Sequence, residues 1–155
     1  MHVSARSDYA VRALVELAAG ESRSLTRGHL AASQQIPLKF LTNILQQLKT
    51  AGLVNTNRGS DGGYWLARPA ERITLADVIR AVDGPLANVR GEAPEAVLYA
   101  GTAEPLREVW IAVRASLRSI LEHVTLADVA HNQLPDVVKG LTADPLAWQP
   151  YARQR

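Results

Sequence analysis

The chain has 155 residues and a mass of 16.8 kDa, a length that suits one domain or a small domain with an appendage. Hydrophobic residues make up 47% of it and charged residues 21%, enough apolar material for a core and an argument against wholesale disorder. It contains no cysteine, which removes disulfides, Cys-ligated zinc, Cys-ligated iron–sulfur clusters and thiol catalysis together.

No apolar run approaches the ~20 residues of a membrane span. The segment Met1 to Arg6 lacks the apolar core of a signal peptide. The expectation is a soluble, cytoplasmic protein with no membrane partner. The net charge of +2 is too small to imply a polyanionic partner, but the charge is unevenly placed. Between Arg23 and Arg68 lie Arg23, Arg27, Lys39, Lys49, Arg58 and Arg68 against the single acid Asp61, a local +5. From Leu86 to Arg155 the balance is −1. On charge alone, a solvated basic face and a nucleic-acid footprint are equally open.

In chain order, Ser7 reads as a helix cap with Asp8 in the first turn. Val11, Leu14, Val15, Leu17 and Ala18 follow at helical spacing, and Gly20 stops the helix. Thr26 caps a second, short helix to about Ser33, with Leu30 and Ala31 inward. Pro37 opens a third, Leu38 to Ala51. Its Leu41, Ile44, Leu45 and Leu48 follow the i, i+3, i+4, i+7 pattern. Lys39, Thr42, Asn43, Gln46 and Thr50 form the opposite stripe. Gly52 ends this helix. Leu53 to Asn57 and Tyr64 to Ala67 then read as strands of a hairpin around the turn Arg58-Gly59-Ser60-Asp61-Gly62-Gly63.

Thr74 starts a fourth helix, with Asp77 as a capping-box variant, and this ends near Gly84-Pro85. Leu86 to Ala103 reads as a loop with at most one weak turn. Pro105 opens a long helix to about His123. Leu106, Trp110, Val113, Leu117, Ile120 and Val124 recur along it in a seven-residue repeat. Such a repeat is either one core face of a monomer or a dimer seam, and Val109, Ala112 and Leu121 widen its apolar surface. Thr125 to Val129 repeats Thr74 to Val78 letter for letter, read as one helix-start solution used twice. The tail, with Pro135, Pro145 and Pro150, reads as extended, with Trp148 and Tyr151 docked or exposed.

Three short helices, the third two-faced, followed by a basic glycine-turn hairpin make the plan of a winged helix–turn–helix. The fold class is mainly α with a small β-hairpin wing and a long dimerisation helix. The third helix can bury its leucine stripe and offer its polar stripe to a major groove. The hairpin tip offers Arg58 to an adjacent minor groove or backbone, and its glycines permit close approach.

The chain resembles the Rrf2-type bacterial transcription regulators from about Met1 to Val129. The resemblance rests on Ser4 to Val11, Ile36 to Val54 ending in Ala51-Gly52-Leu53-Val54, Arg58-Gly59 through Gly62-Gly63-Tyr64, Ile73 to Gly84, and Trp110 leading into Thr125 to Asp128. It implies a homodimer with a winged domain and a long crossing helix, bound to imperfectly palindromic promoter DNA. Arg58 matches the wing arginine of the minor groove, next to Gly59. Lys39, Thr42 and Asn43 fall where the family reaches the major groove, Thr42 standing where a Glu is frequent. Arg6 and Tyr9 match residues near the phosphate backbone.

Many family members hold an iron–sulfur cluster through three cysteines in the loop before the long helix. Aligned from Trp110, this chain has Glu92, Leu98 and Glu104 there. Asp8 matches a carboxylate ligand of some relatives, but reads here as a helix N-terminal anion. Cluster-free relatives exist, so the resemblance still implies DNA binding. No cofactor or metal is expected: His123 and His131, near Glu122 and Asp128, lack the spacing of a helical ligand pair. Asp61-Gly62-Gly63 is no phosphate loop, no Ser/His/Asp set is present, and an enzyme is not expected.

The domain reading is a winged domain over 1–84, a loop over 85–104, a dimerisation helix with the following helix start over 105–130, and a tail over 131–155. The DNA-facing set is Arg6, Tyr9, Lys39, Thr42, Asn43, Gln46, Arg58 and Gly59. The dimer set is Leu106, Trp110, Val113, Leu117, Ile120 and Val124. Regulation follows either as a repressor, by steric competition with polymerase, or through a ligand that shifts the angle between two winged domains. A signal site is expected between the loop 86–103, the long helix and the winged domain. Trp65 and Trp110 could line it, or pack in the core. The alternative function is a winged-helix module that binds a partner protein, or a regulator that needs a partner or small molecule to bind DNA.

Overall fold

A computed structural model of the chain describes residues 2–59 and 62–150. The expectations for Ser60 and Asp61 in the wing turn, and for Tyr151 in the tail, lie outside the described residues.

Helix α1 (Ala5–Ala19) is capped by Ser4, whose side chain accepts from the Ser7 backbone N–H at 2.9 Å. The cap therefore lies three residues before the expected Ser7. Both serines can cap, and the tertiary environment decides: Ser7 is buried and its hydroxyl donates to Asp83 at 2.6 Å. The buried stripe of α1 is Ala10, Ala13, Leu14 and Leu17, an i, i+3, i+4, i+7 set with two alanines that let neighbours approach.

Helix α2 (Arg27–Ser33) starts at Thr26 as expected and buries Leu30. Gln35, at φ 52°, turns the chain into α3 (Leu38–Thr50). The four residues of the α3 leucine stripe are all buried, and the polar stripe is exposed.

Strands β1 (Val54–Thr56) and β2 (Tyr64–Leu66) pair antiparallel with Asn55 opposite Trp65. They are shorter than expected. Leu25 adds a third edge, exchanging both backbone hydrogen bonds with Tyr64 at 3.0 and 2.8 Å. This bridge brings Gly63 so close to Ser24 that a Cβ on Gly63 would sit 1.9 Å from the serine hydroxyl.

Helix α4 (Leu75–Asp83) carries a full capping box of Thr74 and Asp77, and Gly84, at φ 84°, closes it. Residues 85–105 form the expected loop, with one 3-10 turn at Gly101–Ala103. Helix α5 (Leu106–Leu121) buries none of its residues. Helix α6 (Leu126–Ala130) has the second capping box, Thr125 with Asp128.

The two copies of Thr-Leu-Ala-Asp-Val are paired with each other. Leu75 N–H donates to the Val124 carbonyl and Leu126 N–H to the Ile73 carbonyl, both at 2.9 Å, around a Thr74–Thr125 bridge. The repeat is thus one helix start used twice, in a local two-fold arrangement that returns the chain to the winged core. Leu126 is fully buried there, in the same cluster as α1 and α3.

Two further expectations are corrected. Val124 is 3% exposed and lies beyond the end of α5, buried at the bridge to Leu75 and not on a helical seam. The tail is not simply extended: α7 (Asp136–Thr142) follows Pro135, and a 3-10 turn spans Pro145–Trp148. Proline starts both, a role open to it because a first turn leaves its missing N–H unused. Trp148 remains 74% exposed, its indole N–H donating to the Thr142 carbonyl at 2.7 Å.

Replacing Leu126 by Ala should cost about 2–5 kcal/mol in denaturant unfolding, as a core leucine does. A loss within about 0.5 kcal/mol, typical of a surface position, would contradict its place in the winged core.

Candidate nucleic-acid interface

Burying the leucine stripe of α3 leaves Lys39, Thr42, Asn43, Gln46 and Thr50 exposed on the outer side of the same helix. No acidic residue lies on α3. The Thr42 hydroxyl donates to the Leu38 carbonyl at 2.9 Å and accepts from Arg27 Nη1 at 3.3 Å. Arg27, the first residue of α2, was legible only as part of the basic segment. Its contact with α3 follows from how α2 lies on α3, which the sequence does not display.

At the other side of α3, Tyr9 and Phe40 pack with ring centroids 6.2 Å apart, and the Arg12 guanidinium sits 5.0 Å from the Tyr9 centroid. Arg6, Tyr9, Phe40, Asn43 and Gln46 line one groove between α1 and α3. The structure therefore brings Arg6 and Tyr9 next to the polar stripe. Phe40, 57% exposed beside it, is the residue that the helical wheel alone does not single out.

Arg6 is held in place from within the chain. Its Nε and Nη2 lie 3.1 and 3.0 Å from one oxygen of Asp83, and the other carboxylate oxygen accepts from the Ser4 and Ser7 hydroxyls. Burial pushes the Asp83 carboxyl up, but the hydrogen bonds from Ser4, Ser7 and Arg6 and the guanidinium charge outweigh it, leaving the group below the usual aspartate range. Asp83 thereby ties the end of α4 to the start of α1.

In the wing, Arg58 is exposed and Gly59 has φ 134°, a conformation that favours glycine. The hairpin is braced by Asn57, whose side-chain oxygen accepts from the Gly63 N–H at 2.8 Å. The sequence shows Asn57 only as a strand end.

Leu106, Trp110, Val113, Leu117 and Ile120 lie along α5 with none buried. Leu106 and Val109 are 40% and 48% exposed. Trp110 and Trp65 do not share a site. Trp110 donates to the Tyr99 hydroxyl at 2.9 Å and borders a cavity with Leu86, Val89, Arg90, Pro94 and Val113. Trp65 lines a separate cavity with Arg68 and His131.

A winged helix with an exposed polar third helix beside a basic wing is the build of a DNA-binding transcription regulator. The chain belongs to the Rrf2 family: the family model described as an iron-dependent transcriptional regulator matches residues 3–132. It is 49% identical over 145 residues to Rv1287 of Mycobacterium tuberculosis (strain ATCC 25618 / H37Rv), named as a candidate HTH-type transcriptional regulator, covering 93% of this chain and 90% of that protein. It is 32% identical over 133 residues to the HTH-type transcriptional regulator CymR of Bacillus subtilis (strain 168), covering 84% and 90%. The solved structure of B. subtilis CymR, titled the global cysteine regulator, superposes with a TM-score of 0.71 at 30% identity, covering 86% of this chain and 98% of that one. The structure of T. potens IscR superposes at 0.65 and 27% identity, covering 98% and 94%.

The residues of this chain do not fit a Cys-ligated iron–sulfur cluster in the loop before α5. Leu98 offers no donor and is 81% exposed, and no thiolate exists in the sequence. Nearby polar groups are engaged: Glu95 pairs with Arg114 at 2.6 Å and Tyr99 with Trp110. Asp8 pairs with Arg12 at 3.3 Å. Among the described residues, no three His, Asp or Glu side chains gather as metal ligands.

Because its folded-state pKa is depressed, Asp83 stabilises the fold above the ordinary aspartate pKa, and that contribution is lost as pH falls through the folded value. Asp83→Asn should therefore reduce stability at neutral pH and flatten the acid limb of a stability–pH profile. An unchanged acid limb would show that Asp83 is not the coupled group.

Proposed function

We propose that the chain acts as a homodimer on an imperfectly palindromic promoter site, without a Cys-ligated cluster. The observation that carries the dimer is α5: 16 residues with an apolar seven-residue repeat, none of them buried by the chain itself. The chain itself covers Trp110, Val113, Leu117 and Ile120 only in part, and a second copy would complete the cover. A two-fold dimer of this kind places two α3 helices in successive major grooves, about 10 bp or a multiple apart. Lys39, Thr42, Asn43 and Gln46 then face base edges, Arg58 with Gly59 meets the adjacent minor groove, and Arg6 and Tyr9 lie along the backbone.

The local +5 between Arg23 and Arg68 supports nucleic acid over protein as the partner of this face. With the loop unsuited to a cluster, either occupancy of DNA by the dimer excludes polymerase, making a repressor, or a small molecule shifts the angle between the winged units. The cavity bordered by Trp110 and the loop 86–94 supports the second arrangement as a place for such a ligand.

Sedimentation at micromolar concentration should give a dimer, and Leu117→Glu a folded monomer with sharply weakened operator binding. A wild-type monomer would remove this arrangement. Arg58→Ala should lose about 5- to 150-fold in affinity for a selected genomic site while the circular dichroism spectrum is preserved. Wild-type affinity in that variant would take the wing out of the interface.

A further inference from the structure

We infer that Arg27 is a base-reading residue of this regulator, positioned by the Thr42 hydroxyl, and that it selects a guanine in each half-site. The inference rests on the DNA-binding reading above and adds to it a residue that the polar stripe of α3 does not contain.

Arg27 belongs to α2, yet its side chain ends on α3. Nη1 lies 3.3 Å from Thr42 Oγ1, in the middle of the exposed polar stripe. The contact is directional. Thr42 spends its only hydroxyl proton on the Leu38 carbonyl at 2.9 Å, so what it presents toward α2 is a lone pair. Thr42 is thus committed as an acceptor and is not the donor toward a base. The group that α3 and α2 jointly offer at this point is the guanidinium.

A guanidinium has five N–H donors in a planar fork. Thr42 takes one of Arg27's at a long distance, and among the described residues no carboxylate lies within ion-pairing reach of Arg27. Arg6, also near this face, is by contrast committed to Asp83. A carboxylate at position 42 would neutralise Arg27 and compete for its fork. A threonine holds it with a weak neutral bond and leaves the parallel donors unspent. In the major groove, guanine shows two adjacent acceptors, O6 and N7, which match two parallel N–H groups; adenine puts a donor in place of one of them. The pairing of a lightly held fork with a groove-facing position therefore points to guanine.

The test is selection of DNA from a random pool by the full-length protein, followed by affinity measurement on the selected site and its single-base variants. Arg27→Ala should erase the preference for one G·C pair per half-site, about 5- to 150-fold in the wild type, while preferences at the other positions persist. Arg27→Lys should keep general affinity and weaken that preference without erasing it, because an ammonium can still donate to O6 and N7 but lacks the planar fork that Thr42 orients. Thr42→Val should relax the same base position, and Thr42→Ser should restore it.

Three results would overturn the inference. Arg27→Ala could retain every base preference. It could weaken all sequences equally and lower the log–log salt slope by about 1, which is the signature of a phosphate contact. Or Thr42→Val could leave the guanine preference intact, which removes Thr42 from the positioning role. Failure of the wild-type protein to select any motif is a different outcome: it sinks the sequence-specific DNA reading itself, before Arg27 is reached.

Discussion

The burial of one stripe of α3 is the constraint on which the rest depends. Leu41, Ile44, Leu45 and Leu48 lie in one cluster with Ala10, Ala13, Leu14 and Leu17 of α1. Four buried leucine-sized side chains at about 1.5–3 kcal/mol each are enough to fix the rotation of the helix about its axis. Once that rotation is fixed, the direction of Lys39, Thr42, Asn43 and Gln46 is fixed as well. The same packing leaves the outer, polar side of α3 free of apolar duty. The small residues Ala10 and Ala13 matter here because they bring α1 close enough for Arg6 and Tyr9 to border that face.

Period made much of this legible. The α3 stripes, the Thr26 cap, both Thr-x-x-Asp starts and the seven-residue repeat of α5 all follow from local chemistry or helical spacing, whereas spacing alone leaves open what that repeat packs against. What the sequence hid was chosen by tertiary contacts. Ser4 and Ser7 are equally able to cap α1, and the carboxylate of Asp83, 76 residues from Ser7, decides between them. Val124 continues the seven-residue repeat numerically, but α5 stops at Leu121 and the residue pairs with Leu75 instead. Arg27 reads as one more basic residue until α2 is laid on α3. The tail prolines favour both extended chain and helix starts, and the helix start prevails at Pro135.

The repeated pentapeptide shows how the two ends of the fold are joined. Helix starts leave orphan N–H groups, and each copy satisfies its own with Thr and Asp. The residues just before each start are extended, which frees one N–H and one carbonyl to pair across. Two copies of one local solution meet as a minimal two-stranded bridge. A long helix that leaves the winged core at residue 105 is thereby brought back to it at residue 124. Glu122 reinforces the return, since it pairs with Arg80 of α4 and with Arg118 of α5. Both arginines hold its carboxyl below the usual range by hydrogen bonding, the Arg80 bond foremost.

These attachments place α4 between α5 and the α1–α3 groove. Asp83 ends α4 where the loop toward α5 begins, and it grips Arg6 at the border of the groove between α1 and α3. Glu122 ends α5 and grips α4 one turn earlier, at Arg80. Helix α4 is thus clamped at one side to the winged face and at the other to the long helix, through charged pairs rather than through a cluster in the intervening loop. The ion pairs at the two ends of α4 thus act beside the Thr74–Thr125 bridge and buried Leu126, so that α5 is joined to the winged core by charged, backbone and apolar contacts together.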